Sequence, residues 1–416
     1  MKRISFIMPS FNRAGYIAES IESVLAQMQA DDELLVVDDG STDDTESAVA
    51  PYLDRLRYVR QDNAGKAAAL NRAMEMTSGT YVWICDDDDL LLPGAVDALV
   101  GAITQSGADM VFGQYTRFRM KGGQRIDLGT GYWPDFSSGS VNRHFLEDMS
   151  SHHNGSLVRR ATYDRLGPFD TGMLRSQDYE MFVRIALSSS IVYVDRDVFL
   201  QRKHDGDRGP KAIKHKAGKT DAMWVNFDRK IFARLRDLVP QAFFTSMFAG
   251  PDDALRRRAG LLQRACILAR HGWWDAALDD CERASAIATD TPLHPLEIAT
   301  CRRMSAGKHG FAEMLAKDTT AALRALGRKN PLGAAIVGQI HRGLFWRLRS
   351  EAPGDKVAAL KVLARPSALV SLLRRRLPRH DRAQSQPADQ SLRETIPDFA
   401  IAQDALREWR AAIGRA

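Results

Sequence analysis

Residues 81–89 read YVWICDDDD. An apolar run rich in β-branched and aromatic residues reads as a buried strand. It ends in four consecutive carboxylates, Asp86 to Asp89. Like charges repel, so a folded chain rarely collects four of them without a compensating cation. One reading is a site for a hard divalent cation, Mg²⁺ or Mn²⁺, of the kind held by one or two carboxylates plus substrate phosphates. The other is a solvated acidic turn in which Asp89 caps the helix that follows. The strand immediately upstream favours the cation.

The surrounding sequence alternates strand and helix patterns. Strands are predicted at 3–8, 33–38, 57–60, 80–85 and 109–113, with helices near 14–29, 43–54, 65–77 and 93–106. Such alternation implies an α/β domain with a mostly parallel sheet covered by helices. Ligands of such sheets bind beyond the carboxyl ends of the strands. Those ends carry PSFN (9–12), DDGSTDD (38–44) and DDDD (86–89), so three polar loops converge on one edge.

Three further stretches carry chemistry. In DNAGKAAALNRAM (62–74), Lys66 falls at a helix N-terminus, where a cation opposes the helix dipole unless an anion such as a diphosphate binds there. In LGPFDTGMLRSQDYEMFVRIA (166–186), Asp178 opens an amphipathic helix and is either a functional carboxylate or an N-cap. In LQRKHDGD (200–207), Arg202 and His204 lie two apart at a strand end. Strands near 191–194 and 198–203 precede that point.

The ordered set PSFNRAGYI, VVDDGSTD, DNAGKAAALNRAM, YVWICDDDDLLLPGAV, LGPFDTGMLRSQDYEMFVR and QRKHDGD resembles glycosyltransferase family 2 over about residues 1–210. The resemblance implies the GT-A fold, a Rossmann-like mixed sheet with helices on both faces, followed here by an α-helical C-terminal region. It places Pro9, Ser10 and Asn12 around a nucleotide, Asp39 on the base and Lys66 near the diphosphate. Asp86 and Asp88 become a D-x-D pair holding Mg²⁺ or Mn²⁺ on a nucleotide-sugar donor. His204 approaches the metal or diphosphate, and Arg202 offsets leaving-group charge. Asp178 becomes the general base, with Gln177 where the family usually has Glu. The implied reaction is inverting transfer of a sugar to a glycan, lipid-linked or protein acceptor hydroxyl, in cell-surface polysaccharide synthesis. Tyr132, Trp133, Phe136, His152, His153 and Asn154 fall where an acceptor site is expected, though core aromatics and ordinary loop polars are the better reading of them. Two rival readings are a sugar nucleotidyltransferase, disfavoured by a single glycine in PSFNRAGY, and a helical scaffold with a degenerate GT-A domain.

The rest of the chain differs in kind. Residues 1–200 hold 19 Lys and Arg against 29 Asp and Glu, whereas residues 201–416 hold 39 against 23. After about residue 220, Ala, Leu and Arg dominate with helical spacing. The expected division is a catalytic domain over 1–215, a basic helical region over 216–380, a linker over 381–396 and a final helix over 397–416. Residues 261–288 resemble one tetratricopeptide-type hairpin, but one copy does not make an array. The segment SALVSLLRRRLPRH (367–380) is basic and amphipathic, as for an anionic membrane surface, or for a helix packing on the rest of the chain. No nucleic-acid-reading motif is present. Cys85, Cys266, Cys281 and Cys301 lack C-x-x-C spacing, which argues against zinc clusters and fits a reducing cytoplasm. No apolar run reaches the roughly 20 residues of a membrane helix, and MKRISFIMPSFN reads as a first strand rather than a leader. These features imply a cytoplasmic protein, with peripheral contact at the inner membrane face left open.

Overall fold

In the computed structural model, which describes residues 2–130, 134–136, 139–204, 220–307, 309–349, 353–364 and 392–413, Tyr81–Ile84 is a central strand. Tyr132, Trp133, residues 205–219, the basic segment 367–380 and most of the linker 381–396 lie outside the described residues. The chain divides into two units. One comprises Met1–Phe145, Met149–Asp228 and Leu406–Ala416, and the other Leu146–Asp148 and Arg229–Ala405.

The first unit is built on one sheet with nine described strands: β1 (Ile4–Ser10), β2 (Glu33–Asp38), β3 (Arg57–Arg60), β4 (Tyr81–Ile84), β5 (Leu90–Leu91), β6 (Met110–Lys121), β7 (Gln124–Gly129), β8 (Ser156–Arg159) and β9 (Ile191–Arg202). Their order is β3-β2-β1-β4-β8-β6-β9-β5, with β7 added to β6. β1 runs parallel to β2 and β4, and β2 parallel to β3. β8 is antiparallel to β4 and β6, and β5 to β9, so the sheet is mixed. The chain moves outward from β1 through β2 to β3, then returns to place β4 on the other side of β1. That reversal opens the crevice in which such sheets bind ligands, between the ends of β1 and β4.

Its helices are α1 (Ile17–Leu25), α2 (Thr45–Val49), α3 (Lys66–Met76), α4 (Ala95–Ser106), α5 (Val141–Glu147), α6 (Arg160–Leu166) and α7 (Gln177–Ala186). Alternate residues of the central strands face opposite cores. Ile4, Phe6, Met8, Leu34, Val36 and Trp83 join Ile17, Ile21 and Val24 of α1 and Val96, Leu99 and Ile103 of α4. Ile7, Leu35, Val37, Val82 and Ile84 are buried on the other side, where α3 packs on β1 and β2. Burial on both faces explains why these strands read as continuous apolar runs. The buried side of α3 is Ala67, Ala69, Leu70 and Ala73, small enough for close approach.

One expectation needs correcting. The charged run Asp195-Arg196-Asp197 suggested a break between two strands, but β9 is continuous. Its pairing with β6 shifts register around Gln114, so Asp195 and Arg196 sit exposed at an irregularity rather than in a loop, and the half-buried Asp197 accepts from Thr116 Oγ1 at 3.0 Å.

From residue 220 the described chain is almost all helix: α8 (Thr220–Leu238), α9 (Gln241–Ser246), α10 (Asp253–Arg270), α11 (Trp274–Ser285), α12 (Pro295–Arg303), α13 (Phe311–Met314), α14 (Lys317–Lys329), α15 (Pro331–Arg347), α16 (Pro353–Leu363) and α17 (Gln403–Ala412). α10 and α11 form a hairpin turned at Gly272. In the second unit the buried guanidinium of Arg258 makes a two-pronged pair with Glu297 at 2.7 Å each. It also caps the carbonyls of Ala288, Thr291 and Pro292. No described helix is long and apolar enough to cross a membrane.

The entry to β4 is fixed by a close approach. Gly79 donates its N–H to Ser5 Oγ at 2.8 Å, and a Cβ there would lie 2.4 Å from the Ser5 backbone nitrogen. Gly79→Ala is therefore predicted to destabilise the chain by about 2 kcal/mol, the cost of forcing backbone apart in a packed core. The urea midpoint measures it.

Candidate active site

The four carboxylates at the end of β4 occupy four different environments. Asp86 lies nearest the strand. Its backbone N–H donates to Asn154 Oδ1 at 2.7 Å, and the Lys66 ammonium stands 2.5 Å from its Oδ1. Asp87 is buried. Burial and the neighbouring charge of Asp88 push its pKa up to about 7, against the pull of Arg13. Asp88 is also shielded from water, but a hydrogen bond to His204 Nε2 at 3.0 Å and the charge of Arg13 outweigh that and hold its pKa below the usual carboxylate range. Asp89 is buried again. It accepts from Asn154 Nδ2 at 2.9 Å and from the Arg202 N–H at 2.8 Å, yet burial and the charge of Asp88 push its pKa well up. Along the run, Asp87 and Asp89 are pushed towards the neutral form, and Asp88 towards the charged one.

Two of these partners carried weak sequence signals. Asn154 links the run at both ends, because one side-chain amide binds the Asp86 backbone and the Asp89 carboxylate. Sequence placed it only among polar residues near an acceptor. Arg13, one residue beyond the PSFN stretch, puts Nε 3.5 Å from both Asp87 and Asp88. An arginine in a polar loop has no local periodicity to mark it.

The other two strand-end loops are joined to each other. Asn12 accepts the Thr42 N–H at 2.7 Å and donates its own to Ser41 Oγ at 2.9 Å. It has φ 55, a left-handed conformation that Asn tolerates better than most residues. Pro9 and Ser10 end β1 and are buried beside it. Asp39 accepts from Gln61 Nε2, the Ala64 N–H and the Gly65 N–H at 2.7, 2.9 and 2.7 Å. It thereby holds the loop that delivers Lys66. Gly65, at φ 90, makes the tight entry to α3.

Lys66 relates this cluster to Asp178. Its ammonium contacts Asp86, and burial works against its charge, but Asp86 and Asp178 together outweigh burial and raise its pKa. Asp178 is the second residue of α7 and half-buried. His153 feels the same carboxylate. It is buried between the edges of Phe169 and Phe182, at 5.6 and 5.2 Å between ring centres, and neither ring nitrogen has a hydrogen-bond partner among the described residues. Burial lowers its pKa to about 4, although Asp178 pulls the other way. His152, by contrast, packs edge-on against Tyr115, and Phe136 packs against Phe112, Tyr193 and His144.

Arg202 and His204 both reach the acidic run. Arg202 Nε donates to the Asp88 carbonyl at 2.9 Å, and its guanidinium pairs with Glu19 and lies over the rings of Phe118 and Tyr16. His204 stacks on Tyr16, 4.8 Å between centres. The acidic run is thus contacted by Lys66 at the Asp86 carboxylate, by His204 at the Asp88 carboxylate and by Arg202 at the Asp88 carbonyl, and the charge of Asp178 is felt at Lys66. Among the described residues no group of three His, Cys, Asp or Glu is already arranged to hold a metal ion.

Residues 5–167 match the family model described as Glycosyl transferase family 2. An uncharacterized glycosyltransferase of Rickettsia bellii is 27% identical over 236 residues, covering 55% of this chain and 34% of that protein. The glycosyltransferase GlyA of Streptococcus pneumoniae is 28% identical over 216 residues, covering 49% of this chain and 31% of that one. The chain therefore spans about a third of the length of these relatives. Among solved structures, S. aureus TarS 1–349 in complex with UDP-GlcNAc is 17% identical, with a TM-score of 0.49, covering 89% of this chain and 90% of that one. The mixed sheet with helices on both faces and the family match together make the first unit GT-A-like.

Asn154→Leu is predicted to leave the buried Asp89 carboxylate and the Asp86 N–H short of a partner each, costing about 2–4 kcal/mol by denaturant titration. His153 makes a pH prediction. Its folded pKa of about 4 lies below its ordinary 6.5, so the unfolded chain binds the extra proton first. Stability is intact above pH 6.5 and falls as pH drops towards 4, by about 3 kcal/mol in all. Melting temperatures of wild type and His153→Phe between pH 7 and 4 test this, with the acid-side loss smaller in the variant.

Proposed function

We propose that this chain, whose residues 5–167 form a glycosyl transferase family 2 domain, transfers a sugar from a nucleotide-sugar donor to an acceptor hydroxyl with inversion. The observation that carries the reading is the ammonium of Lys66, which pairs with Asp86 after β4 and feels the charge of Asp178 on α7, two carboxylates from distant parts of the chain. One site holds charge against a leaving diphosphate and the other takes a proton.

In this reading Asp86 and Asp88 would offer carboxylate oxygens to a divalent cation and His204 a ring nitrogen, and Mg²⁺ or Mn²⁺, which is commonly held by one or two carboxylates, would take its remaining ligands from substrate phosphates and water. When bound, the cation supplies electrostatic stabilisation of charge on the diphosphate. Lys66 adds a positive charge on the same side, at the N-terminus of α3, whose free N–H groups favour an anion. Arg202 adds another beyond Asp88. Pro9, Ser10, Asn12 and Asp39 sit at the ends of β1 and β2 and line the nucleotide end. Asp178 accepts the proton of the acceptor hydroxyl as its oxygen attacks the anomeric carbon. The bond from that carbon to the diphosphate oxygen breaks with its electron pair going to the leaving group. One in-line displacement inverts the centre and requires no enzyme nucleophile. Synthesis of a cell-surface polysaccharide is the setting we assign to this chemistry.

Two variants test the division of roles by thermal shift with a panel of nucleotide sugars, with and without Mn²⁺, alongside transfer assays. Asp86→Ala/Asp88→Ala removes the metal-dependent rise in melting temperature that a ligand of the native state produces. Asp178→Asn keeps that rise and lowers turnover about 10²–10⁴-fold, the range of general-base catalysis. Full transfer by Asp178→Asn would remove the base assignment.

A further inference from the structure

We propose that Trp409, near the C-terminus, is a positioning residue for Asp178. The inference rests on the base assignment above and adds a part of the chain outside the family match. Residues from Leu406 onward belong to the first unit, although more than 170 residues separate them from the end of its preceding segment at Asp228. Trp409 is fully buried there. Its indole Nε1 donates to Glu180 Oε1 at 2.7 Å. Glu180 stands two residues after Asp178 in the first turn of α7.

Glu180 fastens that turn in two ways. Its backbone N–H donates to the Ser176 carbonyl at 2.8 Å, closing the turn that contains Asp178. Its carboxylate is wholly buried and shared between anchors. Oε2 takes the Arg184 Nη2 and Nε at 2.7 and 3.2 Å, and Oε1 takes Trp409. Arg184 in turn donates to the Leu166 and Pro168 carbonyls at 3.0 and 2.9 Å. A buried carboxylate tied on all sides cannot swing, because each loose oxygen would be left unsatisfied.

The turn needs such a hold. Ser176 enters α7 at φ 56, a left-handed conformation that non-glycine residues keep only where their surroundings impose it. α17 braces the approach to α7 a second time. Arg410 Nη1 donates to the Arg165 carbonyl at 3.3 Å, and its side chain lies against Gly167. The indole N–H of Trp409 is spent on Glu180, so Trp409 acts through Glu180 on the direction in which Asp178 points.

The test is made in the full-length chain with Trp409→Phe, which keeps an aromatic ring and removes the N–H donor. Turnover is expected to fall about 10-fold, within the loss that small misplacement of a catalytic group causes. The donor KM and the donor-induced thermal shift stay at wild-type values, because the acidic run is not moved. Gly79→Ala serves as a control of comparable stability loss, and it should leave turnover near wild type. Wild-type turnover in Trp409→Phe, or an equal fall in both variants, would overturn the proposal. If Trp409→Phe does not fold, Arg410→Ala loosens the same helix and should lower turnover about 3-fold with the donor KM unchanged; wild-type turnover there overturns it as well. Hydrogen exchange separates this idea from the proposed reaction. If wild type transfers no sugar at all, faster exchange of the 177–181 amides in Trp409→Phe still supports the anchoring of that turn, and unchanged exchange refutes it.

Discussion

Four adjacent carboxylates at the mouth of a buried strand repel one another, and much of the first unit is arranged to meet that repulsion. Cations and hydrogen-bonding groups approach from three directions. Lys66 comes from α3, Arg13 from the loop after β1, and Arg202 and the imidazole of His204 from the end of β9. Burial does the rest, since in a medium of low polarity the charged form of an unpaired carboxylate is disfavoured. Asp87 and Asp89 respond by rising in pKa, whereas Asp88, with His204 and Arg13 at hand, moves the other way. The run leaves the strand at Ile84 and turns at Asp87 and Asp88, so successive carboxylates meet different partners. A D-x-D pattern with two further acids is therefore not four equivalent ligands.

Much of the sheet was legible because burial on both faces writes itself into sequence as unbroken apolar runs. β2 and β3 fall where the pattern predicts, and β1 and β4 within two residues of it. The convergence of PSFN, DDGSTDD and DDDD on one edge follows from parallel strands alone. Ser10 pairs with Asp38, and the Phe11 N–H donates to Asp87 Oδ2 at 3.3 Å. β9 reads as two strands because charge in a strand mimics a loop where an irregularity leaves residues such as Asp195 and Arg196 exposed. In the site, Asp86, Lys66 and Asp178 were visible as residue types out of place locally: acids where a strand surfaces, a cation at a helix N-terminus, an acid opening an amphipathic helix.

The residues that were hard to see are those whose partners are distant in sequence. Asn154 meets Asp86 and Asp89 across 68 and 65 positions, and Trp409 meets Glu180 across 229. Neither lies in a repeating pattern, and a single Asn or Trp is an ordinary residue of a turn or a helix. His153 belongs with them. Sequence offered it as a polar contact, yet the structure puts it between two phenylalanines, where its pKa is lowered because water is excluded.

Lys66 joins the two halves of the proposed chemistry. Its ammonium pairs with Asp86, and the charges of Asp86 and Asp178 favour its charged form against burial. An ammonium kept charged in this way is a fixed positive charge, and on the proposed reading it faces the diphosphate of the donor. The small buried residues of α3, Ala67, Ala69 and Ala73, let that helix come close to the sheet, so the helix that carries Lys66 serves the proposed site as well as the core.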